Sequence, residues 1–131
     1  MVTPPDIVAR TFQFALRIVE LANQLDNYRG SAGVLVRQIL RSGTSIGANI
    51  EEAQAAESRA DFIHKYNIAL KEARETKYWL RLISTSKIAK KTDLDSLIKE
   101  SDEICRNIET VAAMQSFLLS CFSSFTVSAP V

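Results

Sequence analysis

The sequence predicts an all-α protein, an up-down-up-down four-helix bundle that assembles as a homo-oligomer. Apolar residues recur at helical spacing in four segments, which are joined by short links. The 131 residues include four Gly and three Pro, too few turn formers for a domain of many short strands. The apolar fraction of 47% is enough for one core, so residues 1–131 are predicted to form a single domain.

The first helix is predicted over about residues 6–26, and it carries two neighbouring apolar stripes. The inner stripe consists of Ile7, Phe14, Ile18, Leu21 and Leu25. The second stripe consists of Val8, Phe12, Ala15, Val19 and Ala22. Together they are wider than the seam of a single helix pair, so this helix should contact more than one neighbour. The chain should then turn at Gly30, which can adopt a positive φ.

The second helix is predicted over about residues 32–56. Its buried side should consist of Leu35, Ile39, Ile46, Ile50 and Ala53. Gly43 and Gly47 share one face, where they allow another backbone to approach closely, although a kink after Ser42 is the alternative. Asn49 lies between apolar positions and needs a hydrogen-bond partner if it is buried. Gly43, Gly47 and Asn49 are therefore candidate close-packing or oligomer-contact positions.

The third and fourth helices are predicted over about residues 59–84 and 93–121, with Ser58 and Thr92 as N-caps. The apolar positions of the third are Phe62, Tyr66, Ala69, Leu70, Ala73, Leu80 and Ile83. Those of the fourth are Leu94, Leu97, Ile98, Ile104, Ile108, Val111, Leu118 and Phe122. Residues 123–131 should fray, because they are small and polar. Trp79 is predicted to be a core or subunit-interface anchor.

Catalytic and metal-binding chemistry is not indicated. His64 is the single histidine, so a di-iron bundle site with two Glu-x-x-His pairs is not available. Cys105 and Cys121 would lie roughly 24 Å apart on one helix, whereas a disulfide needs Cα atoms within about 7 Å. We therefore expect two free thiols, no catalytic residue, no metal and no cofactor. The Met-Val-Thr-Pro-Pro start lacks signal-peptide character, and a cytoplasmic location without membrane contact is expected.

Positive charge is concentrated in the middle of the chain. Eleven basic and six acidic side chains give residues 29–90 a net charge of +5, whereas the whole chain carries +1. The candidate nucleic-acid-binding residues are Arg37, Arg41, Arg74, Lys77, Arg81, Lys87, Lys90 and Lys91. If the second and third helices adjoin, these residues form a basic strip suited to phosphate backbones. The alternative is an ordinary solvated surface whose cations pair with neighbouring carboxylates, as Lys71 would with Glu75.

Three segments resemble bacterial intervening-sequence proteins, whose genes were noticed within insertions in large-subunit ribosomal RNA genes. They are residues 42–53, which read SGTSIGANIEEA, residues 58–62, which read SRADF, and residues 69–76, which read ALKEARET. The likeness extends from about Ile7 to Phe122. Many relatives end the first motif with Gly where this chain has Ala53, so we expect the turn nearer residues 56–58.

This resemblance implies a homopentamer of four-helix subunits around a central channel. The chain is also similar to the accessory protein of diversity-generating retroelements, a basic pentamer that binds nucleic acid and a reverse transcriptase. We therefore hypothesise a non-catalytic oligomer that binds RNA or a ribonucleoprotein through the basic strip. The alternative is a structural or protein-interaction module without a nucleic-acid partner.

Overall fold

Four α-helices make up the fold. The computed structural model describes residues 5–25, 29–89 and 94–125, and these ranges contain no β-strand. The helices are α1 (Pro5–Gln24), α2 (Ser31–Gln54), α3 (Arg59–Thr85) and α4 (Leu94–Phe125). The all-α prediction is confirmed, and α2 runs unbroken through Gly43 and Gly47.

Helix α4 is longer than the sequence predicts. It continues to Phe125 rather than ending near residue 121, so the predicted fraying is wrong for residues 123–125. The physical reason is that the segment holds no Gly or Pro, and the Ser124 hydroxyl bonds back to the Ser120 carbonyl over 3.1 Å. Residues 126–131 and the predicted N-cap Thr92 lie outside the described residues.

Ion pairs between helices fix the antiparallel order of α2 and α3. Arg41 of α2 lies 2.5 Å from Glu75 of α3. Eleven residues further along α2, Glu52 pairs over 2.5 Å with Lys65, ten residues earlier in α3. Arg74 of α3 likewise pairs with Glu109 of α4 over 2.6 Å. Ion pairs therefore link neighbouring helices along their edges, outside the apolar core.

Helices α1 and α2 approach closely at the two predicted small positions. A Cβ atom placed on Gly43 would lie 2.9 Å from both Cγ atoms of Ile18, which no real contact tolerates. A Cβ on Gly47 would lie 3.4 Å from the backbone oxygen of Thr11. Both glycines therefore face α1 of the same chain, and their lack of a side chain sets the distance between these helices.

The core consists of the inner faces of all four helices. Every residue of the inner α1 stripe is buried, as are Ile39, Ile46 and Ile50 of α2. Phe62 and Tyr66 of α3 are fully buried and stack with ring centroids 4.4 Å apart. Leu118 and Phe122 were predicted to be buried in the α4 stripe, and this is wrong, because both are exposed. The stripe continues along α4 after the neighbouring helices stop covering it.

The helix ends follow simple backbone rules. Asp61 N donates to Ser58 Oγ over 3.0 Å, which confirms the predicted N-cap of α3. Gly30 precedes α2 with φ of 72°, the positive value predicted for the turn. Helix α2 ends at Gln54, one residue after Ala53, and the chain turns over residues 55–58, which includes the predicted turn at 56–58. Lys87 follows α3 with φ of 58°, a left-handed conformation that favours glycine.

Candidate interaction surfaces

Part of the predicted basic strip is neutralised by carboxylates. Arg41 pairs with Glu72 and Glu75, and Arg74 pairs with Glu109. Lys77 pairs with Asp102 of α4. The Arg41 guanidinium, followed by the Trp79 indole N–H, lowers the pKa of Glu75 below its ordinary value. A hydrogen bond from a cation stabilises the ionised carboxylate, so Glu75 holds its charge at neutral pH.

Three cations of the strip remain exposed without an ion pair in the described part of the chain: Arg37, Arg81 and Lys87. Arg37 lies one helical turn before Arg41, towards the start of α2. Because α3 runs antiparallel, the residues after Glu75 lie towards the same end of the bundle. We name Arg37, Arg81 and Lys87 the basic end. Lys90 and Lys91 lie outside the described residues.

Trp79 and Asn49 are satisfied within the chain. Trp79 is half-buried against the core, and its Nε1 donates to Glu75 Oε1 over 3.0 Å. Tyr78 meets the Trp79 ring edge-on, with centroids 5.0 Å apart, and is itself exposed. Asn49 Nδ2 donates to the Ser45 carbonyl over 2.8 Å along its own helix. Each side chain thus has a hydrogen-bond partner within its own chain.

The second apolar stripe of α1 is uncovered at Phe12 and Val19, whereas Ala22 is buried. Phe12 is 56% exposed, and Leu16 and Val19 are exposed beside it. Successive steps of four and three residues place these three side chains on one side of the helix. We name Phe12, Leu16 and Val19 the α1 apolar face. These three side chains form a contiguous exposed apolar cluster on α1.

Residue chemistry in the described ranges offers little for catalysis. His64 is exposed, and no three His, Cys, Asp or Glu side chains there are arranged to hold a metal ion. Burial raises the pKa of the Cys105 thiol, with the Glu109 carboxylate adding to the shift, which keeps it protonated and unreactive. An open cleft between α1 and α4 is lined by Arg17, Glu20, Leu21, Gln24 and Leu97, none of which is a nucleophile.

Sequence reasoning missed the ion-pair cluster that joins α1 to α4. Arg10 Nε donates to Glu100 over 2.5 Å, and Arg10 also pairs with Glu103. The guanidinium lowers the pKa of Glu100 below its ordinary value. Ninety residues separate Arg10 from Glu100, so the pairing is set by the register of α1 against α4, which local spacing does not reveal. Among the described helices, none combines the length and hydropathy required to cross a membrane.

Comparison with known proteins agrees with the fold. The family model of the 23S rRNA-intervening sequence protein matches residues 5–110. A crystal structure of a protein of unknown function from the S23 ribosomal protein family of Bacteroides thetaiotaomicron is 44% identical, with a TM-score of 0.75. The match covers 81% of this chain and 97% of that one. No functionally curated protein matches this chain. The chain therefore belongs to the 23S rRNA-intervening sequence protein family.

Proposed function

We propose that this protein is a non-catalytic module that self-associates through the α1 apolar face and binds RNA through the basic end. The observation that carries the self-association is the exposure of Phe12, Leu16 and Val19, which one chain leaves in water. Covering such a surface with further copies removes apolar area from solvent at roughly 25 cal/mol per Å². A homopentamer, which the family resemblance implies, is the assembly we favour.

The RNA contact rests on charges that have no ion pair in the described part of the chain. Arg37, Arg81 and Lys87 are exposed, whereas the other described cations of the strip have carboxylate partners. Unpaired cations that release counterions from a phosphate backbone supply affinity without reading sequence. The names of the family and of its Bacteroides relative, which refer to 23S rRNA and to a ribosomal protein family, agree with an RNA partner. Self-association would repeat the basic end around the assembly.

The test of the RNA contact is binding to a fluorescently labelled hairpin of 23S rRNA, measured by anisotropy over a range of salt concentrations. The triple variant Arg37→Gln, Arg81→Gln and Lys87→Gln should weaken binding at least about tenfold and reduce the slope of log affinity against log salt by about two to three. The matched control is Arg106→Gln, which removes an exposed cation from α4 instead. Equal slopes for the natural chain and the triple variant would contradict the RNA contact.

A protein-interaction module without RNA is the second candidate, and the α1 apolar face favours it equally. The two candidates differ in what the basic end does. If the natural chain shows no salt-dependent affinity for the hairpin but still associates through α1, the interaction module is the correct function. Copurification of the tagged full chain with one stoichiometric protein, free of RNA, is the result that this second function predicts.

A further inference from the structure

Tyr78 is an exposed aromatic side chain towards the end of α3. It is 55% exposed, whereas Phe62 and Tyr66 of the same helix are buried in the core. Leu82 lies one helical turn after Tyr78 and is also exposed. The core therefore does not use the Tyr78 ring, and neither the α1 apolar face nor the basic end includes it.

Contacts within the chain orient the Tyr78 ring. Trp79 meets it edge-on, with centroids 5.0 Å apart and ring planes at 71°. Trp79 is itself fixed by a 3.0 Å hydrogen bond to Glu75 Oε1, and Arg41 of α2 binds the same oxygen over 2.5 Å. Tyr78 remains more than half exposed beside this contact. A ring that is oriented before binding loses less conformational entropy when a planar ligand stacks on it.

The surface around Tyr78 carries more positive than negative charge. Arg81 lies three residues after Tyr78, and Lys71 lies about two turns before it. Both cations are exposed and have no ion pair among the described residues. Glu75, three residues before Tyr78, is already paired with Arg41. This part of α3 therefore presents an aromatic ring between two unpaired cations, and we name Lys71, Tyr78 and Arg81 the Tyr78 surface.

We infer that Tyr78 stacks on an unpaired base of the RNA, so that this protein prefers RNA loops and bulges to continuous duplex. The inference rests on the proposed function and adds to it the class of RNA that is bound. Bases in a paired helix are stacked on one another, whereas the unstacked bases of loops and bulges are open to aromatic side chains. Surfaces that bind single strands combine such rings with cations that follow the phosphates. Lys71 and Arg81, on either side of Tyr78, supply those cations.

The Tyr78 surface stays accessible in an assembly that forms through α1. Helices α2 and α4 each pack against both α1 and α3, so α1 and α3 occupy opposite corners of the bundle. The Tyr78 surface and the α1 apolar face therefore lie on different sides of the chain, and every copy in the assembly would present its own stacking ring.

A protein is the competing occupant of this surface, because Tyr and Arg are also enriched in protein interfaces. The charge favours a polyanion instead. Lys71 and Arg81 are unpaired in the described part of the chain, and the carboxylate of Glu75 is neutralised by Arg41. A phosphate backbone complements that charge on both sides of the ring.

The test measures binding of the full chain to two fluorescently labelled RNAs by anisotropy. One is a 23S rRNA hairpin with an unpaired loop, and the other is a blunt duplex with the same number of phosphates. The natural chain should bind the hairpin more tightly. Tyr78→Leu should weaken hairpin binding at least about fivefold and leave duplex binding unchanged, because only the hairpin offers a base that stacks on the ring. The slope of log affinity against log salt should stay the same, since Tyr78 is uncharged and releases no counterions.

Tyr78→Phe is the matched control, because it keeps the aromatic ring. It should bind the hairpin within about twofold of the natural chain, since stacking depends on the ring rather than on the hydroxyl. Circular dichroism should be unchanged in both variants, because Tyr78 is exposed. Irradiation of a hairpin with iodouridine in its loop should cross-link the RNA to Tyr78, as located by mass spectrometry of the digested chain. A loss in Tyr78→Phe as large as that in Tyr78→Leu would overturn stacking.

Failure of the inference differs from failure of the proposed function. If the natural chain binds the hairpin with salt-dependent affinity and Tyr78→Leu binds it equally well, the inference is wrong and the RNA contact stands. Equal affinity of the natural chain for hairpin and duplex has the same meaning. If the natural chain binds neither RNA, the proposed function is wrong and the inference falls with it. Loss of a stoichiometric protein partner in Tyr78→Leu, with RNA binding unchanged, would assign the ring to a protein interface and overturn the inference.

Discussion

The hydroxyl of Thr76 on α3 donates a 2.9 Å hydrogen bond to the Ser42 hydroxyl on α2, and both side chains are fully buried. This polar link crosses the most extensive helix interface of the bundle, and its two residues directly follow Arg41 and Glu75, which pair at the surface. It fixes α2 against α3 in one register, because a shift along either helix would separate the two hydroxyls in an apolar surrounding.

The two hydroxyls should therefore be coupled, and removing the second should cost less than removing the first. Ser42→Ala is expected to lower the free energy of unfolding by about 1 kcal/mol, because the link between α2 and α3 is lost while Thr76 keeps its 2.7 Å hydrogen bond to the Glu72 carbonyl. Adding Thr76→Val should not lower it by the same amount again, because the two side chains form one unit. Urea denaturation of the two single variants and the double variant gives the coupling energy. Strict additivity would show that the buried link contributes nothing.

The contact between Gly43 and Ile18 predicts a steric cost. Gly43→Ala should destabilise the bundle by about 1–3 kcal/mol, because the new Cβ would lie 2.9 Å from both Cγ atoms of Ile18. In an Ile18→Ala background, which removes those atoms, the same substitution should cost less. Thermal unfolding of the natural chain, the two single variants and the double variant measures the difference between the two costs in stability. An equal cost in both backgrounds would contradict the close approach of α1 and α2.

The Arg10–Glu100 pair predicts a dependence of stability on pH. The folded pKa of Glu100 lies below its ordinary value of 4.5, so its stabilising effect is complete above that value. The effect is lost as the pH falls through the lowered folded pKa, because protonation removes the charge that Arg10 binds. Glu100→Gln should reduce the loss of stability between neutral pH and about pH 3 relative to the natural chain, as followed by urea midpoints. Glu20→Gln, an exposed carboxylate outside this cluster, should leave the dependence unchanged.

The left-handed conformation of Lys87 predicts a gain in stability. Replacing Lys87 with Gly should raise the free energy of unfolding by up to about 1 kcal/mol, because φ of 58° strains a residue with a Cβ. The same change removes one cation of the basic end, so RNA affinity should fall while stability rises. Thermal melting and hairpin binding on one preparation check both effects. A lower melting temperature would contradict the strain.

Local patterns were enough to predict the helices but not every contact between them. The inner stripe of α1 and the cap at Ser58 follow from spacing and residue type, and both were predictable. Pairs such as Thr76 with Ser42 depend on the axial position of α3 relative to α2. The apolar periodicity of a single sequence does not give that position. The exposure of Phe122 was missed for a related reason. Its spacing continues a buried stripe, but spacing does not say where the partner helices stop.

The candidate residues of the basic strip were likewise predictable from the sequence only in part. Clustering along the sequence identified Arg37 and Arg81, which are exposed without carboxylate partners in the described ranges. It did not distinguish them from Arg74, because the partner Glu109 lies 35 residues away on another helix. Only the position of α3 relative to α4 shows that Arg74 has a carboxylate partner.

The mass of the full chain in solution tests the central claim most directly, which is that copies of this chain cover the apolar surface that one copy leaves exposed. Sedimentation equilibrium at neutral pH should give an integral multiple of the 14.6 kDa chain mass, with five copies as the favoured assembly. A single species of 14.6 kDa at micromolar concentrations would contradict the account, because the α1 apolar face would then remain in water.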